Sequence, residues 1–287
     1  NLQSTHVNLS FDGDEEFGEL HAAIRVMLPL LPAIAASSPY LDGKFSGFLD
    51  ARIETYRHNQ DKIPSIAGKV IPEPVYTYDD YNKVIFEKVK ADIAPHDPEH
   101  LLNHFFLNSR GAIARFDRGA IEIRLVDIQE CPNADIAIVE LEIATLKALS
   151  VAKFATNVSS MKEYRQKLRA IDTDKLANLL VRTAKDAENT VIDWPEFQAL
   201  FGMSATTSPE SAKNCAVSAG DIWKHIYSVV KNDITEVSRT FLDKMLERGT
   251  LASALYKHLG NTPSREAFIV EYKKLADCLS HNRLYEG

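Results

Sequence analysis

The sequence is poor in cysteine, in surplus positive charge and in long apolar runs, and each shortage removes a class of protein. Three cysteines among 287 residues, Cys131, Cys215 and Cys278, are far apart and form no CxxC pair. Neither a disulfide framework nor a thiolate zinc site is indicated, and a reducing cytoplasm is the expected setting. The 33 Lys and Arg are outnumbered by 40 Asp and Glu, leaving a formal charge of −7. Such a chain generates little of the field that a nucleic-acid backbone or an anionic membrane surface requires, so neither is expected as a partner. The longest apolar run, residues 26–36, holds Pro29 and Pro32 and falls well short of the roughly 20 residues that cross a bilayer. Phosphate loops of the GxxxxGK[ST] or GxGxxG kind are missing, as are HExxH and a nucleophile elbow around Ser37 and Ser38, which removes the commonest nucleotide, zinc-protease and serine-hydrolase readings. One or two packed domains of ordinary size remain.

What is present divides at about residue 150. Residues 5–11 alternate, with Val7, Leu9 and Phe11 apolar and His6, Asn8 and Ser10 polar, the pattern of a half-buried strand. A turn at Asp12-Gly13-Asp14 leads into helical spacing of Phe17, Leu20, Ile24, Met27 and Leu28, predicting one helix over residues 15–36. A loop rich in Ser, Gly and Pro follows, then a polar stretch over residues 50–57 that carries Arg52 and Arg57. A helix is predicted over residues 78–93. A second strand pair is predicted over residues 111–127, turning at Asp117-Arg118-Gly119, with Ile121, Ile123 and Leu125 on one face and Ala120, Glu122, Arg124 and Val126 on the other. From Ala134 onward the period is helical throughout. One stripe holds Ile136, Val139, Ile143, Leu146 and Leu149; another holds Ile222, Ile226, Val229, Val230, Val237, Phe241 and Met245. The best internal break is residues 203–211. The expected fold class is therefore α+β, with residues 1–150 as an α+β front and residues 151–287 as a helical back whose stripes serve core packing and subunit contact, the place for self-association.

Arg110, Arg115, Arg118 and Arg124 fall close together in an otherwise acidic chain. Guanidinium forks suit phosphate or carboxylate, and the cluster fits a small anionic ligand; scattered pairing with surface carboxylates accounts for the count equally well. Glu122 and Arg124 share one strand face, which sets an oxygen ligand for a hard cation beside a phosphate-binding group. His6 is a candidate metal ligand, although a lone strand histidine is ordinarily structural. Arg52 and Arg57 are read either as a carboxylate clamp or as solvated charges. Gly249-Thr250 is read as a flexible lid or as a helix junction, and Trp194-Pro195 and an exposed Trp223 as parts of an interface.

As a set, three segments resemble glutamate-cysteine ligases of the second, plant and bacterial, class and the related carboxylate-amine ligases: STHVNLSF at residues 4–11, AASSPYLDGKFSGFLDAR at 35–52 and GAIEIRLVDIQECPNADIA at 119–137. GTLASALYKHLG, at 249–260, is similar to that family's C-terminal Gly-Thr-Leu segment. The resemblance implies a glutamine-synthetase-like fold, a curved antiparallel sheet backed by helices, and ATP-dependent amide formation between glutamate and an amine, cysteine first among them, through a γ-glutamyl phosphate. It implies magnesium held by His6 and Glu122, Arg124 on the transferring phosphate and Arg52 on a glutamate carboxylate. Arg115 is a weaker phosphate candidate. Arg57 and Arg110 lack a clear match and are placed as supporting residues on the substrate and nucleotide sides. Phosphoryl transfer between anions needs charge neutralisation more than covalent help, which fits these residue types. Family members open with a strand of paired glutamates that precedes the histidine strand. No Glu-x-Glu strand precedes His6 here, so the front of the sheet is expected to lie outside this chain, and nothing marks the pocket of the amine.

Overall fold

The computed structural model describes residues 3–155, 160–203 and 216–287; Cys215 and most of the break expected at 203–211 lie outside them. Alternation places the first strand where the sequence predicts it, β1 at Ser4–Ser10. Two short strands, β2 (Tyr40–Leu41) and β3 (Lys44–Phe45), pair within the segment expected to be loop. Next come β4 (Ala112–Arg115) and β5 (Ala120–Asp127), joined through a single helical turn, Phe116–Arg118, and Gly119 in the left-handed region at φ +58°. That conformation is open to glycine at little cost. β1, β5 and β4 form one antiparallel sheet with β5 in the centre.

One face of this sheet is core. Val7, Ile121, Ile123, Leu125, Ala112 and Ala114 are buried. The register carries one irregularity. Val7 pairs with Ile123 but Thr5 pairs with Val126, so Arg124 and Leu125 stand together opposite His6. Such a bulge advances the strand by one residue. Val126, expected on the polar face, is instead buried with Leu125, and Asp127 pairs with Ser4 on the side of Glu122 and Arg124.

The helix predicted over residues 15–36 is three pieces: Gly13–Met27, a tight turn at Leu28–Leu30 and Pro32–Ala35. Pro29 and Pro32 each open a new piece, because proline lacks the donor N–H and its ring clashes with the preceding turn. The helix expected over residues 78–93 is continuous from Tyr78 to Ile93 but widens to a π-turn at Asn82–Phe86. The long helix Pro132–Ser150 packs on Gly13–Met27, Ala219–Val230 and Glu236–Arg248. Of the predicted stripe, Leu146 and Leu149 are buried and Val139 and Ile143 pack against the core, but Ile136 is 51% exposed, and the buried face extends to Ala137, Ile138 and Leu141. At the back, Ile222, Ile226, Val230 and Met245 are buried as predicted, while Val237 is 58% exposed and Leu242 is buried in addition. The helical period there is broken by a small ladder, β6 (Val191–Ile192) with β7 (Val217–Ser218).

Trp223, expected at the surface, is 1% exposed and donates its indole N–H to the Leu30 carbonyl at 2.7 Å. It helps bind the two halves of the chain, whose buried residues form one continuous cluster from Val7 to Leu284. Cys278 sits in a smaller cluster with Leu251, Leu255 and Tyr285. The architecture is thus mixed α+β and mainly helical, with small antiparallel sheets. No helix among the described residues is long and apolar enough to cross a membrane.

Candidate functional site

Asp50 starts the helix Ala51–His58 by accepting the Ile53 N–H at 2.9 Å, the ordinary work of an N-cap. Ile53 fills the core, and Arg52 and Tyr56, four residues apart, share the helix side that faces the sheet. With Asn59, Gln60 and Ser109 they line a cavity of about 240 Å³, closed on the sheet side by Ser4, His6 and Arg124.

Two guanidinium groups meet this cavity. Arg52 is 5% exposed; its Nε is paired with Asp127 Oδ1, and its Nη1 donates to the Arg124 carbonyl at 3.3 Å. Its Nη2 is buried without a hydrogen-bond partner. Arg124 Nε is also buried without a hydrogen bond, although Glu122 Oε1 lies 3.3 Å away as an ion-pair partner. Buried donors of this kind cost free energy until an acceptor reaches them. Burial alone would lower the Arg52 pKa, but Asp127 and Asp50 outweigh it and raise the value. Burial and the charge of Asp127 together hold Asp50 well above the usual carboxylate range.

His6 and Glu122 sit on adjacent strands, Nδ1 to Oε1 at 2.8 Å, and the other ring nitrogen of His6 hydrogen-bonds Ser4 Oγ at 2.8 Å. Burial first, then the Arg124 charge, push His6 below the ordinary imidazole value, with Glu122 opposing. The shift favours the neutral imidazole, and the cationic side chains that line the cavity are the two arginines.

The remaining sequence candidates lie elsewhere. Arg57 turns away from Arg52, pairs with Glu54 and lines a separate cleft with Lys69 and Asp174. Five residues of helix separate the two arginines by about 140°, which explains the divergence. Arg110 is buried in a two-pronged pair with Glu73 (2.5 and 2.6 Å), and its Nη1 donates to Asn108 Oδ1 at 3.0 Å. Arg115 shares the polar face of the sheet but is drawn off by Asp117, at 3.0 and 2.8 Å, and lies over the Phe106 ring. Arg118 is exposed. The four neighbouring arginines thus do not converge; Arg124 alone of them reaches the cavity, and it meets Arg52 there.

Gly249-Thr250 is a helix junction. Thr250 caps Leu251–Leu259 and donates to Glu188 Oε2 at 2.9 Å, while a Cβ on Gly249 would run into Glu188 Oε1. Tyr56 and Asp127 were absent from the sequence candidates. Tyr56 was legible as the residue one turn on from Arg52; Asp127 was hidden by the bulge. His96, His100 and His104 recur at four-residue steps, but Pro98 and a left-handed His100 (φ +54°) break the segment, so the spacing places no two rings on one helix face.

The resemblance implies magnesium, a cation that takes oxygen donors. No group of three or more His, Cys, Asp or Glu side chains gathers among the described residues, and His6 and Glu122 are bonded to each other. A hard-cation cage needs about six oxygen ligands, so these residues do not fit a complete magnesium site.

The family model described as Glutamate-cysteine ligase family 2 matches residues 2–189. An uncharacterized protein of Archaeoglobus fulgidus is 38% identical over 151 residues, a stretch covering 52% of this chain and 40% of that protein. The chain therefore spans about two fifths of the length of the curated relative it matches.

Proposed function

This chain belongs to glutamate-cysteine ligase family 2, and on that premise we propose that it carries the carboxylate-binding part of an ATP-dependent ligase. The carrying observation is the convergence on one cavity of Arg52 and Arg124, each with a buried nitrogen lacking a hydrogen-bond acceptor. Family membership supports a ligase; the site supports an anionic substrate. In the finer reading, the γ-carboxylate of glutamate takes the terminal phosphoryl group of ATP and releases ADP. The amine of cysteine or a similar acceptor then attacks the γ-glutamyl phosphate, loses a proton and expels phosphate. Arg52 holds a glutamate carboxylate and Arg124 spreads the charge that develops on the phosphoryl group, a role that needs a preorganised donor in a dry site. The polar sheet face beneath a helix is the counterpart of the curved, glutamine-synthetase-like sheet.

A second reading has one observation in its favour. Because His6 and Glu122 satisfy each other, the chain also suits a binding module that takes up glutamate or nucleotide without turnover. Phosphate release by the full-length protein separates the two. A ligase frees phosphate from ATP only when glutamate, an amine and magnesium are supplied together, and Arg124→Ala lowers that rate about 100-fold, the size expected for losing one transition-state donor. ATP binding with no phosphate release under any combination refutes the ligase reading, and unchanged turnover in Arg124→Ala or Glu122→Gln removes those residues from it.

A further inference from the structure

Two nitrogens of the Arg52 guanidinium already have acceptors. Asp127 takes Nε, the Arg124 carbonyl takes Nη1, and Nη2 alone is left without a partner. Asp127 is itself fixed from behind. Its Oδ2 accepts the Ser37 backbone N–H at 2.9 Å and the Ser38 hydroxyl at 2.8 Å. The same Ser38 oxygen accepts the backbone N–H of Arg52 at 3.2 Å, and the Ser38 carbonyl accepts that of Ala51 at 3.0 Å. The loop at Ser37-Ser38, the first turn of the helix Ala51–His58 and the end of β5 are thereby closed into a ring around one buried ion pair.

The geometry points to Asp127 as the positioning residue of this site: with Ser38 it occupies the Nε edge of Arg52 and turns the outer edge, with its unpartnered Nη2, to the ligand. Of the two forks, the one between Nε and Nη2 has its Nε prong taken, whereas Nη1 carries two hydrogens and can meet the Arg124 carbonyl while still donating beside Nη2. The side-on grip through Nε and Nη2 is therefore closed, and Arg52 meets a carboxylate at its outer edge. Arg124, across the same cavity, is left for the phosphoryl group. The inference rests on the reading that Arg52 binds the glutamate carboxylate, and it concerns how that residue is held.

Calorimetric titration of the full-length protein with L-glutamate tests it through a double-mutant cycle. Arg52→Ala and Asp127→Asn are each expected to weaken binding by about tenfold or more, the usual cost of losing a charge-assisted hydrogen bond. If Asp127 acts through Arg52, the double variant binds no more weakly than Arg52→Ala alone; a purely structural role predicts losses that multiply. Multiplying losses, or wild-type affinity in Asp127→Asn, overturn the inference while leaving the ligand assignment in place. Absence of glutamate binding by the wild-type protein overturns the assignment and the inference with it. Should Asp127→Asn fail to fold, Ser38→Ala enters the same cycle with an expected loss of about threefold, because it removes one of the hydrogen bonds that hold the carboxylate.

Discussion

Glu142 offers the sharpest test of the packing described above. It lies midway along Pro132–Ser150, is fully buried, and neither carboxyl oxygen has a hydrogen-bond partner. Burial pushes its pKa from 4.5 up to about 8. In the unfolded chain the carboxyl loses its proton near pH 4.5, while in the folded protein it keeps it until about pH 8. Between those values the folded state binds more protons than the unfolded state, so stability falls as pH rises. Each pH unit costs about 1.4 kcal/mol, giving about 3 kcal/mol by pH 7 and about 5 kcal/mol above pH 8, relative to the stability below pH 4.5. Glu142→Gln keeps the shape and abolishes the titration. Urea or thermal unfolding of both proteins from pH 4.5 to 8.5 should show curves that meet at the acid end and separate with the variant above. At roughly 2 °C per kcal/mol for a chain of this size, the gap at pH 7 is roughly 6 °C. A gap that does not vary with pH, or one that narrows as pH rises, refutes the account of Glu142 as an unpartnered buried acid.

Two further substitutions probe features that hold the chain together. Trp223→Phe should cost roughly 2–3 kcal/mol in urea unfolding, since it leaves the Leu30 carbonyl without its donor and opens a small void. Gly249→Ala should lower the melting temperature, because φ is +87° and the added methyl group meets Glu188. Pairing it with Glu188→Ala should recover the steric part of the loss and not the backbone part.

Local periodicity carried the sequence a long way where one face of an element is buried. The alternation around Val7 and Leu9, the turn at Gly119 and the apolar face of β5 up to Leu125 could all be read directly. It failed where burial is more than one-sided. Ile136 was assigned to the core because a single stripe was sought on a helix that neighbours cover nearly all round. Trp223 was placed outside because polar neighbours, Asp221 and Lys224, frame it, although it lies next to Ile222 on the broad face that packs inward. The arginines expose another limit. Which of them is neutralised depends on carboxylates distant in sequence, Glu73 for Arg110 and Asp127 for Arg52, and no spacing rule reaches that far. Asp50 as a helix cap was within reach, and with it the helical angle that separates Arg57 from Arg52.

The slip in β5 has a consequence for how this site can vary. Four residues separate Glu122 from Asp127, an even number, so on an unbroken strand the two carboxylates would point to opposite faces. The bulge at Arg124 and Leu125 turns them to the same side. Spacing is therefore as much a part of the site as side-chain identity. A one-residue deletion between Glu122 and Asp127 that also removed the bulge would leave three intervening residues on a regular strand, and both carboxylates would still share a face. The same deletion with the bulge retained would set a carboxylate among the core isoleucines and leave Arg52 uncompensated. Relatives that share the Arg52 to Asp127 pair are expected to keep strand length and irregularity together, changing both or neither.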